Sequence, residues 1–202
     1  MILIISQCLP LARLLKNKLK IISGKYKSRI IQILDKKNLK PTKSYIREVL
    51  FNIIDIHNCE TSLDLFAGSG ILSMEALSRG VNKSIVVESD KELAKSINGN
   101  LKLLNIRDAV VINKKVELFL KDLKPELFDI IFIDPPYDTS LLEYTLDYLK
   151  EHKFLRNNKY LYFERSKNDK TIYLKYIAST HNIVKDLSIG DVRYTIATNK
   201  NI

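Results

Sequence analysis

The chain has 202 residues, of which 46% are apolar and 28% are charged, so it can bury one sizeable core and is predicted to form one globular unit. Its 33 Lys and Arg against 23 Asp and Glu give a net charge of +10, which favours a polyanionic partner such as nucleic acid. The two cysteines, Cys8 and Cys59, provide neither a disulfide framework nor a CxxC metal site, which excludes a disulfide-stapled secreted domain and indicates a reducing, cytoplasmic location.

The first two predicted elements are a strand or short helix in the apolar opening residues and a hairpin in the basic segment that follows. The opening MILIISQCLPLARLL is shorter than a membrane span and lacks the basic start of a secretory signal, so we expect a strand or a short helix there. Residues 20–34 alternate in a β-like way around Gly24, which predicts a hairpin. We assign residues 1–38 to this extension, which carries a tight basic cluster of Lys20, Lys25, Lys27 and Arg29.

A helix is predicted after Lys40-Pro41-Thr42. Proline enforces an extended entry, and threonine is a common helix cap. Apolar residues then repeat at helical spacing, which predicts that one face of the helix lies in the core. These residues are Ile46, Val49, Leu50, Ile53 and Ile54.

From residue 62 onward, apolar strands alternate with amphipathic stretches, which predicts βαβ units and a parallel sheet. The strands are SLDLF, SIVVE, AVVIN and FDIIFID, and the helices lie near 71–79, 91–104, 115–121 and 139–150. YLYFE, TIYLKYI and VRYTIAT follow without a long helical pattern between the last two, so we expect strands there and an antiparallel hairpin at one edge. The predicted fold of residues 39–202 is an α/β, Rossmann-like sheet of about seven strands, mostly parallel with a C-terminal antiparallel hairpin, and helices on both faces.

The first strand of this alternation ends in a glycine loop, DLFAGSG, that opens a helix. Such a loop presents backbone N–H groups and residues without side chains to a ligand. Glu88 stands twenty positions after Gly68 at the end of the next strand, the spacing at which a carboxylate reaches the ribose hydroxyls of an adenosine. The loop residues that we expect to hold the cofactor are Asp64, Phe66, Ala67, Gly68, Ser69 and Gly70.

Two residues favour S-adenosylmethionine over a dinucleotide in this loop. The dinucleotide pattern requires Gly or Ala three positions after the second glycine, where this chain has Ser73. Asp64 would repel a pyrophosphate and attract the ammonium or sulfonium region of S-adenosylmethionine. A turn-capping role for Asp64 is the alternative.

The fourth parallel strand ends in Asp134-Pro135-Pro136-Tyr137. An exocyclic amine on a base is a poor nucleophile because its lone pair is delocalised into the ring. The Asp134 carboxylate and the Pro135 carbonyl can accept both of its N–H bonds, and the prolines hold these acceptors in place. Tyr137 can stack on a base taken out of its helix. Asp and Pro are also ordinary turn formers, but at the sheet edge where ligands gather, this tip predicts methylation of an exocyclic amine.

Four blocks of the sequence resemble the RsmD family of bacterial methyltransferases, which act on the 2-amino group of a guanine in small-subunit ribosomal RNA. The blocks are ISGKYKSR, KPTKSYIREVLFN, LDLFAGSG with EALSRG, and DPPY. The resemblance implies S-adenosylmethionine as cofactor, 16S ribosomal RNA in an assembling small subunit as partner, and RNA contacts from the basic hairpin. It also nominates Thr42 and Arg47 for the methionine end of the cofactor, although on physical grounds alone Arg47 could equally form a surface salt bridge.

The sequence departs from the family pattern at two places. Ser23 and Ser28 occupy the positions where the family's hairpin usually has glycines. After the third strand the family often has Asn or Asp for the adenine amino group, whereas this chain has Lys114-Lys115-Val116, and lysine cannot accept that hydrogen bond. We therefore expect backbone groups near Val116 to contact the adenine.

Three other functions can be compared with this one, and two of them remain open from the sequence. An adenine methyltransferase acting on DNA would also use the DPPY tip, but such enzymes generally need an added recognition region. A non-catalytic RNA-binding assembly factor would keep the charge and lose the chemistry. A dehydrogenase has no support, because Ser73 stands where the dinucleotide-binding pattern requires Gly or Ala. Neither a metal nor a membrane is implied, and the three histidines are scattered without ligand spacing.

Overall fold

The computed structural model describes residues 15–36, 41–124, 128–137, 139–169 and 173–202. The element expected in residues 1–14 and the boundary expected at residue 38 lie outside these ranges. The described strands are β1 (Leu15–Lys20), β2 (Ile30–Leu34), β3 (Thr61–Asp64), β4 (Lys83–Val87), β5 (Ala109–Ile112), β6 (Ile130–Ile133), β7 (Tyr160–Ser166), β8 (His181–Ile189) and β9 (Val192–Asn199). The described helices are α1 (Ser44–Ile53), α2 (Ile71–Arg79), α3 (Lys91–Leu103), α4 (Val116–Asp122), α5 (Leu141–Glu151) and α6 (Leu174–Ile177).

Seven strands form one sheet in the order β5-β4-β3-β6-β7-β9-β8. The pairs from β5 to β7 are parallel, and β9 runs antiparallel to both β7 and β8. This confirms the predicted fold class, including the antiparallel hairpin at one edge. The chain order reverses between β3 and β6, and in sheets of this kind the ligand crevice opens at that point.

Helices cover both faces of the sheet because the inner strands are apolar on both sides. All four residues of β6 are buried, as a strand covered on two faces requires. One core contains residues of α1, α2 and α3, and the other contains residues of α4, α5 and α6. None of the helices in the described ranges is long and apolar enough to cross a membrane.

The predicted N-terminal hairpin is confirmed as an antiparallel pair, β1 with β2. Its connecting loop docks on the last turn of α2, where the amides of Lys25 and Tyr26 donate to the carbonyl and the hydroxyl of Ser78 at 2.6 and 2.9 Å. Gly24 permits this approach, because it has φ +81° and a Cβ there would lie 1.8 Å from the Ser78 carbonyl oxygen. Ile31 of β2 is fully buried in the core shared with α1 and α2. The hairpin is therefore fastened to the body of the protein.

The strand predicted at TIYLKYI is wrong for the part of that segment that the structure describes. Leu174–Ile177 forms the short helix α6, and the partner of β9 is instead β8, His181–Ile189. The aromatic rings of Tyr173 and Tyr176 lie at helical spacing and pack into the same core as α5. Burial of this face outweighs the β-like pattern of the segment.

Candidate active site

A cleft of about 1120 Å³ opens at the carboxyl ends of the parallel strands, where β3 and β6 part. It brings together residues that are far apart in the chain, from Lys36 to Leu141. The predicted residues that line it are Thr42, Asp64, Phe66, Ala67, Gly68, Ser69, Glu88, Val116, Asp134, Pro135 and Tyr137. Two predicted cofactor residues, Arg47 and Gly70, are not part of its lining.

The glycine loop differs from the expectation that its amides face a ligand. The Ala67 amide donates to the Val87 carbonyl at 3.0 Å, the Gly68 amide to the Glu88 carboxylate at 2.7 Å, and the Gly70 amide to the Ala67 carbonyl at 2.7 Å. These three amides therefore brace the loop itself. The loop does not form the free nest of N–H groups that a phosphate requires.

Gly70 has a packing role at the start of α2. Its φ is +75°, in the left-handed region that favours glycine, and a Cβ there would lie 3.1 Å from the side chain of Ile97. Glycine at this position thus lets α2 and α3 pack closely together. It supports the glycine loop through this packing.

Glu88 is held in a fixed orientation at the end of β4. The amides of Gly68 and Asp90 each donate to a different oxygen of its carboxylate at 2.7 Å. Oε2 retains a second lone pair, and at Oε1 the only further donor is the Ser89 hydroxyl at 3.5 Å among the described residues, so the group can still accept hydrogen bonds from ligand hydroxyls. Burial raises the pKa of Glu88, and the two amides act against that shift.

Asp64 is a buried carboxyl group, with 2% of its surface exposed. The Ser73 hydroxyl donates to its Oδ2 at 2.8 Å, so the residue that breaks the dinucleotide pattern is the one that holds this acid. Burial raises the pKa of Asp64 to about 7, and the nearby charge of Glu88 adds to the rise. A cationic ligand group beside Asp64 would reverse this shift.

The DPPY tip forms the opposite wall of the cleft. Asp134 directly follows β6, and both Asp134 and the mostly buried Pro135 line the cleft. Burial and the negative charges of Glu164 and Asp64 raise the pKa of Asp134 well above its ordinary value. The Tyr137 ring is half-buried, and its hydroxyl donates to Glu164 Oε2 at 3.1 Å.

Glu164 is a residue of this site that the sequence reasoning missed. It lies in β7, is 2% exposed, and receives hydrogen bonds from Tyr137, Tyr162 and Thr42. A signal for it was present, because YLYFE places a carboxylate near the end of an otherwise apolar strand. Only the pairing of β7 with β6 shows that this carboxylate meets the DPPY tip.

The charge around the cleft is strongly negative, although the whole chain is basic. Its lining has five carboxyl groups, those of Asp64, Glu88, Asp90, Glu117 and Asp134, against two lysines, Lys36 and Lys115, and Glu164 lies beside Asp134 outside the lining. Within the described ranges, Asp90 pairs with Lys36, whereas Asp64, Glu88, Asp134 and Glu164 form no ion pair with a Lys, Arg or His. A small ligand that carries positive charge fits such a wall, and a pyrophosphate does not. No three His, Cys, Asp or Glu side chains of the described residues form a group that could hold a metal ion.

Arg47 lies outside the cleft lining, in a position that joins elements of the fold, and its predicted role at the cofactor stays a prediction. Its guanidinium is buried, and Nη1 donates to Glu75 Oε1 at 2.8 Å and to the Lys20 carbonyl at 3.1 Å. These contacts join α1 to α2 and to β1. The alternative of a surface salt bridge is wrong, because neither partner is exposed.

The basic side chains of the hairpin are available to a partner. Lys20, Lys25, Lys27 and Arg29 are all exposed on β1 and the loop that follows it. The Lys25 ammonium lies 5.3 Å from the centre of the Tyr26 ring. The loop thus presents positive charge next to an aromatic surface, a combination that suits nucleic acid.

The chain matches a known family and named relatives over most of its length. The family model described as conserved hypothetical protein 95 matches residues 19–198. The ribosomal RNA small subunit methyltransferase D of Buchnera aphidicola subsp. Baizongia pistaciae is 38% identical, over 94% of this chain and 98% of that protein. The protein of the same name from Haemophilus influenzae is 34% identical, over 91% of this chain and 95% of that one.

Solved structures show the same likeness. A structure from Haemophilus influenzae described as a methylase has a TM-score of 0.75 and 32% identity, and the match covers 91% of this chain and 99% of that one. An Escherichia coli structure described as the methyltransferase yhhF also has a TM-score of 0.75, at 28% identity over 91% of this chain and 98% of that one.

Proposed function

Because the chain belongs to the RsmD family of methyltransferases, which the matching model describes as conserved hypothetical protein 95, we propose that it transfers a methyl group from S-adenosylmethionine to the 2-amino group of a guanine in small-subunit ribosomal RNA. The single observation that carries the proposal is the shared cleft. Asp64, with no cationic partner among the described residues, and the rigid acceptors of the DPPY tip face the same space between β3 and β6.

The cleft suits S-adenosylmethionine by charge and by shape. Asp64 would hold the ammonium of the methionine part, Glu88 the ribose hydroxyls, and the backbone near Val116 the adenine, while Thr42 lies on the side of the cleft towards the DPPY tip. When bound, the cofactor supplies an electrophilic methyl group on a positively charged sulfur. The unpaired carboxyls stabilise a cationic ligand there more than a neutral one.

Asp134 and Pro135 act on the amine. An acceptor on each N–H bond turns the amine hydrogens out of the plane of the base and leaves the nitrogen lone pair free for attack. As the new N–C bond forms, the nitrogen must lose a proton, and the Asp134 carboxylate is the acceptor in contact with it. Asp134 has the proton affinity for this step, since burial and neighbouring charge raise its pKa.

The half-buried ring of Tyr137 would stack on the extruded base, and the hairpin would contact the RNA backbone. Stacking on an aromatic ring contributes about 1–3 kcal/mol per base and tolerates any base. The exposed Lys20, Lys25, Lys27 and Arg29 would neutralise phosphates, which makes binding weaker at high salt. We propose ribosomal RNA within an assembling small subunit as the natural partner.

The test is to incubate the purified protein with labelled S-adenosylmethionine and small subunits or deproteinised RNA from unmethylated cells. The expected product after digestion is labelled N2-methylguanine. Asp134→Ala should lower the rate about 10²–10³-fold with little change in cofactor binding. Asp147→Ala, at an exposed acid on α5, is the matched control and should act like the unaltered protein. Label in adenine of DNA, or no transfer at all, would refute the proposal.

A further inference from the structure

A second carboxylate lies directly behind the acceptor of the DPPY tip. β6 and β7 are paired in parallel with Ile133 opposite Phe163, so Asp134 and Glu164 follow this pair at neighbouring positions. Neighbouring parallel strands are about 4.8 Å apart, which brings two acidic side chains close together. The two groups therefore act on each other, and Glu164 is not itself part of the cleft lining.

Glu164 is held by hydroxyl groups from three parts of the fold. Tyr137 of the tip donates to Oε2 at 3.1 Å, Tyr162 of β7 donates to Oε1, and Thr42 before α1 also donates to the carboxylate. The charged groups that act on the neighbouring Asp134 are Glu164 first and Asp64 second. Burial raises the pKa of Glu164, and the three hydroxyl donors act against that shift because they stabilise the ionised carboxylate.

We propose that Glu164 is a positioning residue of the methyl-transfer site, which holds the Tyr137 ring from behind the cleft and keeps a negative charge beside Asp134. The inference rests on the function proposed above. It assigns two separable effects to one side chain. The hydrogen bond to Tyr137 sets the orientation of the ring against the base, and the charge strengthens Asp134 as the acceptor of the proton that leaves the amine.

The charge effect has a definite direction with pH. Burial and the charge of Glu164 are the largest causes that raise the pKa of Asp134, and interacting carboxyls titrate as a pair. Activity needs ionised Asp134, so it is lost as the pH falls through the upper pKa of this pair. Removal of the Glu164 charge lowers the pKa of Asp134, and the acidic loss of activity then moves to lower pH.

The experiment compares the pH profiles of kcat/KM for Glu164→Gln and Glu164→Asp. Gln keeps an oxygen that can accept from Tyr137 but removes the charge, so the acidic limb should move down by about one pH unit. Asp keeps the charge on a shorter side chain, so its limb should stay near that of the unaltered protein even if kcat falls. A purely structural role would lower the rate at every pH equally and leave both limbs in place.

A second measurement separates failure of this inference from failure of the proposed function. Carbon-13 NMR of the Asp134 carboxyl, assigned with Asp134→Asn, follows its titration without any RNA. The inference is overturned if the unaltered protein methylates guanine but Glu164→Gln moves neither the acidic limb of the kcat/KM profile nor the titration of Asp134. If the titration moves downward but the protein has no methyl-transfer activity, the charge effect is supported and the function above is overturned.

Discussion

Replacement of Arg47 by methionine tests whether this residue supports the fold or binds the cofactor. Arg47 and Glu75 are both buried, at 2% and 0% side-chain exposure, and the pair bridges α1 and α2. Removal of one partner of a buried ion pair destabilises a protein by about 3–5 kcal/mol, since it leaves a charge without compensation. We expect a destabilisation near the lower value of this range, because Glu75 keeps two other partners. Arg79 Nε lies 3.4 Å from its carboxylate, and the Ile22 amide donates to the carboxylate at 2.6 Å.

A loss of about 3 kcal/mol is a large part of the 5–15 kcal/mol that holds a typical domain folded. With a dependence on urea of about 2 kcal/mol per molar, the unfolding midpoint of Arg47→Met should fall by about 1.5 M. The measurement is urea unfolding followed by circular dichroism. Arg47→Met combined with Glu75→Gln should recover part of the loss, because the buried charge is then gone.

Cofactor binding decides between the two roles. Isothermal titration of folded Arg47→Met with S-adenosylmethionine should give a dissociation constant within about twofold of the unaltered protein, since Arg47 is not in the cleft lining. A loss of more than tenfold in affinity, with the urea midpoint unmoved, would show that the structural argument is wrong. Thr42→Val is a useful comparison, because Thr42 lines the cleft and hydrogen-bonds Glu164.

Three further predictions follow from burial and backbone geometry. Burial lowers the pKa of His181 to about 4, so below about pH 6.5 the folded protein binds fewer protons than the unfolded chain. The free energy of unfolding, measured by urea titration, should therefore fall by about 2 kcal/mol from pH 7 to pH 5. His181→Gln should remove this loss. Gly24→Ala should release the hairpin loop from Ser78, which would be measured as faster hydrogen exchange over residues 21–29. Gly99→Ala is the control: a Cβ there has open space on α3, so this variant should stabilise the protein by up to about 1 kcal/mol. Equal behaviour of the two variants would contradict the docking of the loop against Ser78. Since the pKa of Asp64 is about 7, S-adenosylmethionine should bind about tenfold more weakly at pH 6 than at pH 8, while adenosine, which has no ammonium, should show no such change.

Most of the secondary structure could be predicted because each element carries its own local pattern. The helix expected near 71–79 is α2, Ile71–Arg79, and the strand expected at FDIIFID contains β6, Ile130–Ile133. TIYLKYI was the exception. Its alternating pattern is β-like, but the rings of Tyr176 on the short helix α6 and of Tyr173 just before it are buried in the same core. The local pattern carries no information about the surface on which they pack.

The edge of the sheet that forms the site was also predictable from the sequence. Asp64, Glu88 and Asp134 each lie at the end of an apolar strand, and parallel strands place their carboxyl ends along one edge. The distribution of hydrogen bonds in the glycine loop was not predictable. The sequence shows that Gly68 tolerates close approach, but only the folded loop shows that its amide is already bonded to Glu88.

The order of strands and helices, the three acidic strand ends that meet in the cleft, and the family could all be read from the sequence, because they depend on short-range periodicity and on motifs of a few residues. The contacts of the buried charged groups could be seen only in the folded protein. Arg47 meets an acid 28 positions away, and Glu164 meets a tyrosine 27 positions away. A buried charge must find a partner somewhere in the fold, and the chain segments that supply it come together only when the helices and strands pack.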